Sequence, residues 1–240
     1  MKKIVLSALL FIACLPMFAQ LNVQMHYDFG NTIYGNELSN RPHWTATIEN
    51  FKADKWGNTY FFVDADFGGN TMKSVYAEIS REFNLGKTPI AAHIEYNGGL
   101  SGFGSYNDAY LAGAAWNWAN KDFSKTFSLQ LLYKYFANQP NNYYRHSWQV
   151  TTVWGIHFAK GLCTFSGYAD LWHDNSVTGN LVLSSEPQFW FNLAALESVN
   201  DEFKLSVGAE LEISNNLVWP AEGLNDNFYA VPTLAVKWTF

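Results

Sequence analysis

From Leu21 to Phe29 apolar and polar side chains alternate without a break. Leu21, Val23, Met25, Tyr27 and Phe29 fall on one side, and Asn22, Gln24, His26 and Asp28 on the other. Successive side chains of a β-strand point to opposite faces, so a period of two describes a strand with one apolar and one polar face. The same writing recurs over residues 126–135 and 147–158. It is cleanest over 203–213, where Phe203, Leu205, Val207, Ala209, Leu211 and Ile213 oppose Lys204, Ser206, Gly208, Glu210 and Glu212. Scanned with this template, the chain yields about twelve strands, starting near Leu21, His43, Asn58, Lys73, Ile90, Ala109, Phe123, His146, Cys163, Leu181, Phe203 and Phe228. No segment with helical periodicity competes. Most strands run about ten residues, the length that crosses a bilayer at a steep tilt.

Composition decides which environment the apolar faces meet. Aromatic residues make up 18% of the 240 and charged residues only 15%, against about 25% charged in ordinary soluble domains. Hydrophobic residues at 48% exclude a disordered chain, and no run of about 18 apolar residues suggests a bundle of membrane helices. Twelve strands enclose an interior too wide for aliphatic side chains to fill, so the apolar face points outward and the polar face inward. Trp44, Trp116, Trp118, Trp148 and Phe158 fall near strand ends on the apolar face, where a membrane barrel carries its aromatic girdles. Closure leaves no strand edge unpaired in lipid.

The connections repeat the asymmetry of such barrels, with long loops on one rim and tight turns on the other. Segments 30–42, 97–107, 137–145, 173–180 and 215–227 are long and rich in Gly, Asn and Pro, whereas 54–57, 84–89, 120–122 and 159–162 are short. Segment 68–72 is short where a loop is expected, and 194–202 is long where a turn is expected. The predicted fold is all-β: a transmembrane antiparallel up-and-down β-barrel of about 12 strands, multi-pass in a bacterial outer membrane.

The ends of the chain agree. Lys2 and Lys3 precede an apolar stretch from Ile4 to Ala13, and a small-residue cleavage zone ends at Ala19. Residues 1–19 therefore read as a secretory signal peptide and 20–240 as the barrel. Acylation at Cys14 is the weaker alternative, because Phe11 departs from the expected Leu and apolar residues follow. Without the leader, 13 basic residues face 21 acidic ones and Cys163 is the one remaining cysteine. An internal disulfide and a nucleic-acid partner are both excluded on that basis. The last strand alternates Leu234, Val236, Trp238 and Phe240 with Thr233, Ala235, Lys237 and Thr239. A terminal aromatic such as Phe240 resembles the signal read by the barrel assembly machinery.

If polar faces line the interior, the lumen carries Asp28, Glu49, Asp64, Asp66, Glu78, Glu95, Asp170, Glu186, Glu210 and Glu212 against few bases, chiefly Lys134 and Lys237. That interior tolerates cations and repels phosphates. Tyr60, Phe62, Tyr76, Tyr168, Trp172, Trp190 and Tyr229 share the same face, beside Gln24, Gln188 and Asn192. Ring planes next to hydrogen-bonding groups suit a flat polar ring such as a nucleobase on a sugar. Plain pore lining accounts for the same residues equally well. His26, His93 and His157 lie on polar faces of distant strands without ligand spacing, so no metal site and no cofactor is expected. Cys163, at a strand start on the lipid face, is expected to be inert.

Residues 57–64 (Gly-Asn-Thr-Tyr-Phe-Phe-Val-Asp), 26–29 (His-Tyr-Asp-Phe), 185–190 (Ser-Glu-Pro-Gln-Phe-Trp) and the terminal Trp238-Thr239-Phe240 resemble the Tsx-like nucleoside-specific channels and their Bacteroidetes relatives. The resemblance spans nearly all of the mature chain through short motifs. It implies a monomeric twelve-stranded barrel in outer-membrane lipid, with a narrow lumen where paired aromatic and ionisable residues bind nucleosides. Tyr60, Phe62, Asp64 and Asp66 match that pairing best, followed by Asp28, Glu186 and Trp190. The expected function is passive diffusion of small neutral solutes, nucleosides among them, through an acidic, aromatic-lined lumen. The rivals are a barrel enzyme acting on lipids and a plugged structural or adhesive barrel. The enzyme needs a nucleophile and base on one face, and His146 and Ser147, adjacent on a strand, point to opposite faces.

Overall fold

The computed structural model describes residues 20–102, 104–106, 108–138, 144–174, 179–218 and 228–240. The expected signal peptide, including Cys14, lies outside the described residues, as do the tips of four loops. The strands are β1 (Leu21–Asp28), β2 (Trp44–Asp54), β3 (Gly57–Gly68), β4 (Thr71–Asn84), β5 (Ile90–Ser101), β6 (Gly104–Ser105), β7 (Ala109–Ala119), β8 (Lys125–Phe136), β9 (His146–Phe158), β10 (Cys163–His173), β11 (Leu181–Ser185), β12 (Gln188–Asn192), β13 (Leu205–Asn215) and β14 (Phe228–Thr239). All pair antiparallel in one sheet, and β14 pairs back onto β1, so the ring closes. The two-residue β6 lies off the ring, and β11 and β12 are halves of a single stave, which leaves twelve staves in chain order.

Register proves the inside-out writing. Gln24 faces Thr47 and Lys237 across its two ladders, and Thr47 faces Asp64, which faces Tyr76. Every residue in that row belongs to a polar face. The companion row, Val23, Ile48 and Val63, is outward, and Val23 and Ile48 are exposed. Met25, Ile79, Ile94, Leu131, Val207, Leu234 and Val236 are exposed large apolar side chains on the same outer surface. Such a belt is stable in lipid and a liability in water.

Aromatic girdles bound the belt. On the turn rim Trp116 packs on Phe127 at 6.2 Å between ring centroids, Phe158 on Phe189 at 6.1 Å and Phe203 on Trp238 at 5.6 Å. On the loop rim the girdle is richer in Tyr: Tyr27 meets Trp44 at 4.9 Å and Tyr96 meets Tyr110 at 5.3 Å. Cys163 is a free thiol at the start of β10, on the outward face with Phe165.

Four local features depart from the sequence pattern. The first long loop contains a short helix, α1 (Gly30–Tyr34), where no helix was expected. Its residues are too few for propensity to hold them; the loop is anchored instead by contacts described below. β3 and β4 are joined by Gly69 and Asn70 alone, so the short connection on the loop rim is genuine. The long connection on the turn rim carries a 3-10 turn at Leu193–Ala195. The tenth stave is interrupted at Glu186 and Pro187. Proline cannot donate to a ladder, and the neighbouring stave adapts with Gly167 at φ +153°. A Cβ there would sit 2.4 Å from the Glu186 carbonyl oxygen. Register is identical on either side of the break, Ala169 facing Ser185 and Ser166 facing Gln188.

Candidate lumen constriction

Two opposite sectors of the lumen are filled by the chain itself. In the sector of β12, β13, β14, β1 and β2, Trp190 is fully buried. Its Nε1 donates to Gln188 Oε1 at 2.9 Å, and Gln188 Nε2 donates to Glu210 Oε2 at 2.6 Å. Lys237 Nζ lies 4.0 Å from the Trp190 ring centroid and the His26 ring meets its edge at 6.0 Å. His26 has Gln24 Oε1 at 2.9 Å on Nε2 and Thr233 Oγ1 at 3.1 Å on Nδ1. Gln24 Nε2 in turn donates to Glu49 Oε2 at 2.9 Å. Side chain after side chain in this network finds its partner within the wall, which is what burial away from water demands.

The loop after β1 folds inward above this network. Arg41 donates through Nε to Asp28 Oδ2 at 2.8 Å and through its terminal nitrogen to Glu212, and Asp28 also accepts the Gly30 backbone N–H at 2.7 Å. Leu38 packs with Tyr229 and Val231 on the lumen side of β14, with Tyr34 against them. The Tyr34 hydroxyl donates to the Ala230 carbonyl at 3.2 Å and accepts its N–H at 2.9 Å.

Six staves away, β5, β7, β8 and β9 pack a second filling. Ala109, Leu111, Leu132 and Phe136 form an apolar cluster against Trp172, although register places them on the lumen face. Lys134 Nζ donates to Gln149 Oε1 at 2.7 Å and lies 4.4 Å from the Trp172 centroid. Nearer the turn rim, Glu82 accepts from Asn58 at 2.9 Å and Asn117 at 2.6 Å, and His93 bridges it to Glu95.

Between these fillings two walls remain partly exposed: β3 with β4, and opposite them β10 with the part of the tenth stave at Ser185 and Glu186. The first wall carries a ladder of rings. Tyr60 and Phe62 lie 6.1 Å apart, Phe62 and Tyr76 6.0 Å, and Tyr76 and Tyr106 6.0 Å. Gly99 makes room for the last rung, since a Cβ there would meet the Tyr106 ring at 2.7 Å. Beside the rings, Asp64 accepts from Thr47 at 2.5 Å, Asp66 from Thr45 at 2.7 Å and Ser74 at 2.6 Å, and Glu78 from Tyr76 at 2.6 Å. The second wall carries Tyr168, Asp170 and Glu186, the last carried by the Pro187 interruption. Across the gap Glu78 lies within electrostatic range of Asp170, and Asp64 and Tyr60 within range of Glu186.

The residues expected to line a binding site therefore divide. Tyr60, Phe62, Asp64 and Asp66 share one wall and Glu186 faces them. Asp28 is engaged by Arg41, and Trp190 is sealed beneath Lys237 and His26, so neither reaches the open gap. Sequence reasoning missed Glu82, whose place beside Glu78 and Ser80 in the β4 alternation would have revealed it. Arg41 and Tyr106 sit in connections, outside any period, and had no such signal. His146 and Ser147 do point apart: Ser147 lies on the lumen face beside Lys134, and His146 contacts Tyr133 on the outer surface.

An outward apolar belt, a closed ring and a largely polar interior define an outer-membrane β-barrel. The chain belongs to the family described as domain of unknown function DUF5020, which it matches over residues 19–240. No curated protein sequence matches it. Among solved structures the NanC porin superposes with a TM-score of 0.54 at 11% identity, covering 92% of this chain and 98% of that one. Looser superpositions are found with the KdgM porin (TM-score 0.48, 8% identity, 92% and 99% covered) and with the outer membrane protein Omp33 of Acinetobacter baumannii (TM-score 0.41, 11% identity, 92% and 97% covered). At these identities the likeness to NanC concerns the fold.

Proposed function

We propose that the chain is a passive outer-membrane channel for small ring-bearing solutes, with nucleosides the first class to test. The observation that carries the reading is the Tyr60–Phe62–Tyr76–Tyr106 ladder of rings, set opposite the Tyr168–Asp170–Glu186 wall. Rings stack on rings, at about 1 to 3 kcal/mol per base where this has been measured on single strands. Carboxylates beside them accept hydrogen bonds from ribose hydroxyls and repel phosphates, which favours a nucleoside over a nucleotide. The barrel acts as a monomer, delivered to the membrane through the strand that ends at Phe240. The porin named among its structural neighbours supports a channel over a lipid-acting enzyme.

Planar-bilayer recording of the refolded barrel tests the reading. The expected result is a stable conductance blocked by uridine, with Phe62→Ala weakening the block by about fivefold or more, as loss of one stacking surface requires. Absence of conductance overturns the channel in favour of a plugged barrel, and an unchanged block in Phe62→Ala removes β3 from the constriction.

A further inference from the structure

The charge balance of the open gap points beyond a neutral ring. Three fixed cations that face the lumen are already engaged: Arg41 by Asp28 and Glu212, Lys237 against Trp190 and near Glu49, Lys134 by Gln149 and Trp172. None of Asp64, Asp66, Glu78, Asp170 and Glu186 makes an ion pair among the described residues, and the hydrogen bonds onto the first three come from neutral hydroxyls. Lys134 is in range of Glu78 and Asp170.

A second, independent observation concerns acceptors that lack donors. Asn97 faces Glu78 directly across the β4–β5 ladder, is only 4% exposed, and its Oδ1 has no hydrogen-bond partner. Asp170 Oδ1 is likewise unpartnered, as is Oε1 of Gln130, whose register partner Thr151 faces Asp170. Buried polar atoms without partners are costly; Trp172 Nε1, on the same strand as Asp170, is unpartnered as well, and the acceptors flanking Glu78 are Asn97 Oδ1 and Asp170 Oδ1. The missing component is a donor, and the surplus of carboxylates asks that it be positive. Ring faces supply the remaining term, because an ammonium within about 6 Å of an aromatic face is attracted by its quadrupole.

We infer that the constriction is a seat for organic cations: solutes that carry a protonated amine on a ring or apolar body, the ammonium held by Glu78, Asp170 and Asn97 and the body sliding along Tyr60, Phe62 and Tyr76. The inference rests on the channel reading and names the solute class of the same gap. It changes the preferred solute from a neutral ring to a charged one.

Tyramine and tyrosol share a phenol ring and differ in carrying an ammonium or a neutral hydroxyl, so they separate charge from stacking. In planar bilayers under a KCl gradient the refolded barrel should show a reversal potential of the sign set by cation preference. Tyramine should block at a concentration about tenfold below tyrosol, the margin that a desolvated cation–π contact with a charge partner supplies. Glu78→Gln combined with Asp170→Asn should abolish that margin by bringing tyramine block to the level of tyrosol; Phe62→Ala should weaken both probes alike. Heat-modifiable migration in gels confirms that each variant is a folded barrel, and the wild-type reversal potential decides the matter even if a variant does not fold. Anion preference, or equal block by the two probes in a conducting barrel, overturns the cation seat and leaves the channel standing. A barrel that does not conduct overturns the channel reading and the seat with it.

Discussion

The sector around Trp190 and the wall around Tyr76 are written in the same alphabet of rings, carboxylates and amides, and they behave in opposite ways. Around Trp190 each donor meets an acceptor: Trp190 to Gln188, Gln188 to Glu210, Gln24 to Glu49, Lys237 on the ring. Around Tyr76 the carboxylates meet neutral hydroxyls, and Asn97 and Asp170 each keep an oxygen unpartnered. A satisfied network rigidifies a wall and excludes solute; an acceptor-rich one stays available to a solute that brings donors. The difference lies in partner arithmetic rather than residue type, and composition alone cannot distinguish the two.

The comparison breaks most visibly at Trp190. Replacing this fully buried ring with Ala removes the surface beneath Lys237 and His26 and the donor to Gln188, at a cost of about 3 to 5 kcal/mol for a large aromatic. Urea-dependent refolding into lipid vesicles, followed by tryptophan fluorescence, should show that loss. Phe62→Ala, in the open wall, should cost about 1 kcal/mol or less by the same measurement, since its ring is partly solvated already. Equal costs at the two sites would mean that the open wall is packed as tightly as the closed one.

A smaller effect is expected at the latch over the closed sector. Arg41→Ala leaves Asp28 and Glu212 facing each other without their shared cation, and the half-buried setting places the penalty at about 2 kcal/mol, below that of a fully buried pair. The loop carrying α1 should then detach from Tyr229 and Val231. Single-channel recordings should show higher, noisier conductance, increased by about twofold at most, because the main gap lies under the opposite walls. Conductance and noise identical to wild type would show that the loop is held by Leu38 and Tyr34 alone.

Much of this was legible before any coordinates. Alternation alone defines the strands, the outward face and the lumen membership of Asp64, Glu78, Asp170 and Glu186, because side-chain direction in a strand is a matter of parity. Parity says nothing about what lies across a lumen. That Trp190 is sealed while Tyr60 is open depends on which staves stand opposite and on side chains such as Arg41 that enter from a loop. The apolar inward cluster of Leu111, Leu132 and Phe136 breaks the polar-inside rule outright. It could not be read from periodicity, since β7 is apolar or small on both faces, Ala109 and Leu111 inward, Tyr110 and Ala112 outward. The interruption at Pro187 is matched by Gly167 on the neighbouring stave, a pairing visible only across two staves.

The smallest expected effect tests whether the open wall works as a continuous track. Tyr106 is the rung nearest the loop rim, 39% exposed and 6.0 Å from Tyr76, and it is positioned by its backbone N–H donating to the Gly99 carbonyl at 2.9 Å. Tyr106→Ala keeps that backbone bond and removes only a ring in contact with water, so stability should move by no more than about 0.5 kcal/mol. A mouth ring is met before the constriction and left after it. Its loss should therefore slow the onset of solute block by about twofold, with the residence time, set deeper at Phe62 and Tyr76, unchanged. Current-fluctuation analysis separates the two rates. A change confined to the residence time would place Tyr106 within the seat itself, and no change in either would end the ladder at Tyr76.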